Sequence, residues 1–293
     1  MHRFLICKAM SLFSAMHYAQ RAILRAEGVD VWMRPYAITA LSNDSGVIEA
    51  VPDTVSLDAL RRAGQWPGGR GWRGSGVCAV GGGGSDVAGG GGEGTPPAAA
   101  TSLIGFFEGR FGARGSEGFK CAQRRFIQSL AAYSIACYLL QIKDRHNGNI
   151  LLDAEGRLIH IDFGFMLSSS PGNNLSFENA PFKLTGSMLE VMGGARSRCF
   201  REFRDLCVEA FLALRKNSQE VVLLVEMMAC GNESLPCFQG RPRETARELA
   251  DRFQPDLNDK ACIEFVHGLI EKSVGSWTTL WYDKYQRLWS GIY

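Results

Sequence analysis

The stretch that decides the fold runs from Asp144-Arg145-His146-Asn147-Gly148-Asn149 to Asp162-Phe163-Gly164. Between them lie two short apolar runs, Ile150-Leu151-Leu152 and Leu158-Ile159-His160-Ile161, joined by Asp153-Ala154-Glu155-Gly156. Apolar runs around such a turn read as a tight β-hairpin. With 153–156 as the turn, Leu152 is expected to face Arg157, and Asn149 to face His160. Asp162 then falls two residues further along the same face, at the roughly 7–8 Å spacing of diagonal neighbours in a ladder. An amide and a carboxylate so placed can share one hard cation, since Mg²⁺ takes oxygen ligands at about 2.0–2.1 Å. Asp144 and His146 hang at the mouth of the same hairpin. Together these are the residues of a metal-assisted phosphoryl-transfer site. An isolated Asn and Asp at hairpin ends more often simply face water, so the coincidence of all four carries the reading. His160 is better read as a structural histidine bonded to Asn149.

Working outward, the 293 residues suffice for one large domain or two lobes, and the 46% hydrophobic content allows a substantial core. A net charge of +2 is too small to point to a nucleic-acid partner. Nine cysteines, an odd number with no C-x-x-C spacing, fit a reducing cytoplasm better than a disulfide framework. The sequence holds no run of 18 apolar residues, the length a membrane span requires. Residues 4–16 imitate a signal peptide, but Lys8 and Ser11 interrupt them, and Leu12, Met16, Ala19 and Ile23 recur at helical spacing.

The pattern predicts a helix over 10–27 stopped by Gly28, strands over 35–42 and 46–51, and a short helix over 56–63. Residues 64–94 then hold fifteen of the 34 glycines. So little apolar surface cannot offset the entropy of ordering the chain, and 62–100 is expected to be a disordered insertion. Gly69-Arg70-Gly71-Trp72-Arg73-Gly74 matches G-x-G-x-x-G, but no strand feeds it and no helix follows, so it is no nucleotide loop. Phe119, Ala122, Phe126, Leu130, Tyr133 and Cys137 mark a helix that would buttress the hairpin. Further helices are expected over 197–215, 218–229, 243–253, 258–272 and 276–289. In the last, Trp277, Trp281, Tyr285 and Trp289 recur every four residues. Packing explains most of that stripe, leaving Trp289 and Tyr293 as candidates for a membrane interface.

The loop, hairpin and Asp162-Phe163-Gly164 together resemble the phosphoinositide kinases. Protein kinases instead order their loop H-R-D, with an Asn further on. The run from Cys137 to Gly194 is most similar to the beta form of the type III phosphatidylinositol 4-kinases. Val31 to Tyr36, Asp44 to Glu49, Leu235 to Phe238 and Trp289 to Tyr293 extend the likeness. The resemblance implies an α+β, bilobal, protein-kinase-like fold with most of the small lobe missing. Residues 1–55 would be the small-lobe remnant and hinge. Residues 101–293 would be a mainly helical large lobe, with a catalytic loop over 141–149 and an activation loop over 162–185. It implies ATP and Mg²⁺ (or Mn²⁺) as cofactors, and transfer of the γ-phosphate to the 4-hydroxyl of phosphatidylinositol. The protein would be cytoplasmic and peripheral on intracellular membranes, the Golgi by resemblance alone.

Carried over by position, Asp144 and His146 would orient or deprotonate the attacking hydroxyl and Arg145 would hold the loop. Asn149 and Asp162 would bind metal. Tyr36, Ile142 and Ile161 would wall the adenine pocket, with Ile48, Glu49 and Val51 in the hinge. Phe163, Gly164 and Lys183 would serve the lipid headgroup. Where the pattern expects the small-lobe Glu, this chain has Met10, and Lys8 lies on the wrong element to be its partner. An impaired kinase fragment serving as a binding or regulatory module is therefore the alternative. Substrate class has one argument that needs no resemblance. Between Phe163 and Thr185 the only basic residue is Lys183. A headgroup already bearing extra phosphates, each near −2, would call for several Lys or Arg. One Lys suits plain phosphatidylinositol.

Overall fold

The computed structural model describes residues 6–41, 45–63, 102–168 and 180–274. The Gly-rich tract, residues 169–179 of the activation segment and the Trp stripe with Trp289 and Tyr293 lie outside these residues. Helix α1 (Ile6–Ala26) stops where the sequence places its stop. Gly28 takes φ +71°, and the Gly28 and Val29 amides return to the carbonyls of Arg25 and Leu24, the paired bonds of a left-handed glycine cap. A two-stranded antiparallel ribbon follows, β1 (Ile38–Ala40) with β2 (Gly46–Ile48). Both strands are shorter than expected. The Tyr36 carbonyl is taken by the Ser14 hydroxyl of α1, at 2.6 Å, and the Ala37 amide by the Glu49 carboxylate, at 2.8 Å.

Next come β3 (Thr54–Ser56), α2 (Leu57–Ala63), α3 (Leu103–Phe111) and α4 (Glu117–Leu140), then the hairpin of β4 (Ile150–Asp153) and β5 (Leu158–His160). The hairpin gains a strand that the sequence pattern does not reveal: β3 pairs antiparallel with β4, giving the sheet order β3-β4-β5. Three residues, two positions on from Pro52, are too few to show alternation. A division at residue 55 therefore runs through a strand.

The hairpin register differs by one residue from the expected one. Leu152 faces Leu158 and Ile150 faces His160, so Asn149 lies opposite Ile161, whose amide it receives at 3.0 Å. The cause is Asp153. Its amide bonds the Arg157 carbonyl, and its carboxylate accepts the Glu155 and Arg157 amides at 2.9 and 2.8 Å. Asp153 is thus the last strand residue, and the loop has three residues rather than four, closed by Gly156 at φ +88°. The pairing of Asn149 with His160 does not occur.

α4 lies under this hairpin as expected. The Ser129 hydroxyl caps the Leu158 amide of β5 at 2.9 Å, and the Tyr133 ring stacks on His160 with centroids 4.5 Å apart. The rest is helical: α5 (Gly186–Val191), α6 (Arg198–Lys216), α7 (Ser218–Ala229), α8 (Pro242–Arg252) and α9 (Asp259–Val274). The last four fall within two residues of their expected ranges. α3 and α5 were not expected, because each is short and carries glycine. α6 buries Phe200, Phe203, Cys207, Ala210 and Phe211 along one stripe and packs on α4. The result is an α+β fold, mainly helical, with its small sheet lying along α4 from Ala122 to Cys137.

Gly156→Ala tests the turn. A Cβ there would sit 3.1 Å from both Cβ and O of Ala122, at a φ that L-residues rarely adopt. A loss of about 1–3 kcal/mol is expected, read as a lower urea midpoint with unchanged slope. An unchanged midpoint would show that the turn does not set the register.

Candidate active site

The loop that follows α4 is bent by residues in unusual backbone conformations. Gln141 ends the helix at φ +49°, where glycine is usual, and Ile142 returns its amide to the Cys137 carbonyl at 3.0 Å. Asp144, Asp162 and Leu167 also take positive φ, at +62°, +56° and +54°. Each such non-glycine residue costs about 1–3 kcal/mol and persists only where its surroundings over-determine it.

Arg145 supplies most of that determination. Its side chain is buried and donates to three carbonyls: Lys143 at 3.0 Å, Ile161 at 2.8 Å, and Asp162. The guanidinium also lies 5.3 Å from the centre of the Phe163 ring, within cation–π range. Two backbone bonds run parallel to the clamp, Lys143 amide to Phe165 carbonyl and Leu167 amide to Leu140 carbonyl. The loop and the Asp162-Phe163-Gly164 turn are thereby one rigid unit.

Asn149 ends a 3₁₀ turn, Asn147–Asn149, and Asp162 leaves the strand with its left-handed backbone. Both lie beyond the paired residues, so the alternation of strand faces places neither of them. The Asn149 side-chain NH₂ donates to the Asp144 carbonyl at 2.9 Å, which leaves the amide oxygen as its remaining polar atom. Asp162 is exposed, with one carboxylate oxygen accepting the Gly164 amide at 3.3 Å. One amide oxygen and one carboxylate form a hard, all-oxygen donor pair. It fits a cation such as Mg²⁺, which keeps waters or substrate phosphates as its other ligands. Among the described residues no group of three or more His, Cys, Asp or Glu could hold a metal alone.

His146 caps the 3₁₀ turn, its Nδ1 accepting the Gly148 amide at 3.0 Å. Burial pushes its pKa down, with Asp144 opposing and Arg145 and Lys183 adding to the fall. The ring is then neutral at pH 7, with its hydrogen on Nε2. Lys183 is buried and its charge reaches both His146 and His160. It lines a 270 Å³ cavity with Ile142, Lys143 and Arg145, among others. Gly164 is half-buried and Phe163 fully buried.

The adenine candidates are less gathered. Tyr36 is buried, with its ring 6.0 Å from that of Phe163, so it packs on the Asp162-Phe163-Gly164 turn. Ile161 is half-buried at the hairpin mouth, and Val51 is half-buried before β3. Ile48 and Glu49 are exposed on the ribbon.

Two residues beside the site were not singled out from the sequence, Phe13 and His17, and Tyr133 was read only as part of the helix that buttresses the hairpin. Phe13 stacks on Phe163 at 3.7 Å between centroids, and His17 touches both Phe163 and Tyr133. Phe13 and His17 stand one helical turn apart on α1, a spacing that marks a buried face without saying what it meets.

The loop, the hairpin and the Arg clamp lie in the part of the chain that resembles known proteins. Residues 99–239 match the family described as phosphatidylinositol 3- and 4-kinase. Phosphatidylinositol 4-kinase beta 2 of Arabidopsis thaliana is 41% identical over 92% of this chain and 21% of its own length. Phosphatidylinositol 4-kinase of Dictyostelium discoideum is 41% identical over 90% and 19%. Phosphatidylinositol 4-kinase beta of Xenopus laevis is 40% identical over 93% and 29%. The chain thus spans less than a third of the length of these relatives.

Arg145→Lys keeps the charge but loses the fork that reaches several carbonyls at once. A loss of about 1.5–3 kcal/mol is expected, together with faster amide exchange over 162–165. Wild-type exchange there would show that the clamp does not hold the turn.

Proposed function

We propose that this chain is the catalytic portion of a phosphatidylinositol 4-kinase, transferring the γ-phosphoryl group of ATP to the 4-hydroxyl of phosphatidylinositol. One observation carries the reading. Asp144, His146, Asn149 and Asp162 stand on a single loop-and-turn unit that Arg145 fixes, in a segment whose relatives are named phosphatidylinositol 4-kinases.

Asp162 and the Asn149 amide oxygen would hold Mg²⁺. When bound, that cation neutralises charge on the transferring group and aligns it for in-line attack. Asp144 takes the proton of the attacking hydroxyl. His146 suits the other part: its Nδ1 is occupied by the Gly148 amide, so Nε2 donates a hydrogen bond rather than receiving a proton. Lys183 meets the phosphodiester of a headgroup that carries no further phosphate. Tyr36, Ile48, Glu49, Val51, Ile142 and Ile161 serve the adenine, and Phe163 and Gly164 shape the headgroup side. The enzyme acts in the cytoplasm on intracellular membranes such as the Golgi, touching the bilayer through Trp289 and Tyr293.

A second reading, a nucleotide-binding module without transfer, has Met10 in its favour. It stands where a kinase carries the Glu that pairs the small-lobe Lys.

The purified chain is expected to phosphorylate phosphatidylinositol vesicles with Mg-ATP, giving the 4-phosphate on headgroup analysis. Asp162→Ala should slow this on the order of 10²–10³-fold. Equal product from both proteins removes Asp162 from the chemistry. Mg-ATP binding without product favours the second reading.

A further inference from the structure

α1 turns one face toward Phe163, and that face is not wholly apolar. Beside Phe13 and Met16 it buries His17, 2% exposed, and Gln20, fully buried. Neither nitrogen of the His17 ring and neither end of the Gln20 amide has a hydrogen-bond partner. Buried polar groups are nearly always paired, and an unpaired one opposes its own burial. Leu or Phe at position 17 would fill the space without that penalty, so packing alone does not account for an imidazole.

The place of the ring suggests what it does. It lies 5.1 Å from the Phe13 ring, 5.3 Å from Tyr133 of α4 and 5.6 Å from Phe163, centre to centre. Phe13 is the residue stacked on Phe163 at 3.7 Å. His17 is thus one turn further along the helix that seats the Asp162-Phe163-Gly164 turn. We propose that His17 is a positioning residue that makes this seat acid-sensitive: its uncharged ring holds α1 against Phe163, and uptake of one proton from solvent lets α1 lift away.

The neighbours offer a proton no relief. From α4 the ring meets the Tyr133 phenol, and Tyr133 in turn stacks on the His160 imidazole of β5. The Tyr36 phenol and the Arg145 guanidinium lie against Phe163 from the chain before β1 and from the loop. Burial raises both phenol pKa values, so neither phenol is negative at neutral pH. His160 is itself held neutral, by burial first and then by Arg145, His17 and Lys183. Burial lowers the His17 pKa from 6.5 to about 3. The neutral ring's contribution is therefore complete above pH 6.5 and lost as pH falls from there toward 3. Release of α1 grows about tenfold for each pH unit in that window. Nothing in this depends on which hydroxyl or lipid the site serves.

Amide exchange of the purified chain at pH 7.5, 6.5 and 5.5, with His17→Leu and His17→Phe beside it, tests the inference. Taking the wild-type to variant ratio at each pH cancels the intrinsic pH dependence of exchange. Over 6–26 and 158–168 the ratio should hold nearly steady from pH 7.5 to 6.5, then rise several-fold, up to about tenfold, at 5.5. A ratio that does not change with pH overturns the proposal. So does an equal rise in α9, which signals global unfolding. If one variant fails to fold, the other supplies the ratio. Failure of both also overturns it, because a ring that needs only to stay uncharged is replaceable by an uncharged side chain.

Discussion

The Arg145 guanidinium is buried where the loop after α4 meets the chain leaving β5, and it bonds carbonyls on both. Four residues in this region, Gln141, Asp144, Asp162 and Leu167, hold left-handed backbones without being glycine. A chain so bent would relax if it were free to. Five donors in a fixed fork satisfy several carbonyls with one side chain, which Lys cannot do. Two of the candidate site residues, Asp144 and Asp162, sit on these bends, so their geometry depends on the clamp rather than on the strands.

The clamp in turn needs a floor. α4 provides it through the Ser129 hydroxyl on the Leu158 amide and the Tyr133 ring on His160. α1 closes the other side with Phe13 stacked on Phe163. The Asp162-Phe163-Gly164 turn is therefore held from inside by a charge and from outside by an aromatic stack. The first is the Arg145 fork on three carbonyls. The second has His17 beside it.

Much of this was legible in the sequence, though not by the route the sequence suggested. The long amphipathic helices declared themselves by spacing, and Gly28 declared the end of α1. Asp153 could not be recognised as a strand residue, because a carboxylate that bonds two turn amides looks in sequence like any turn Asp. That single residue moved the register by one, and strand-face counting from it no longer places Asn149 and Asp162 together. The backbone of Asp162 and the 3₁₀ turn ending in Asn149 set their positions instead, and non-glycine positive φ leaves no trace in a residue pattern. β3 was hidden by its length, and the contacts of Phe13 and His17 by their distance along the chain from Phe163.

The claim on which the chemistry rests is that the Asn149 amide oxygen and the Asp162 carboxylate hold one cation, although the ladder does not pair them. The most direct measurement is a crystal structure with Mn²⁺ and a non-hydrolysable ATP analogue, with diffraction recorded at the manganese edge. The expected result is an anomalous peak within coordination distance of both side chains, with nucleotide phosphate oxygens completing its shell. A metal–nucleotide complex bound by only one of the two, or at another place on the chain, contradicts it.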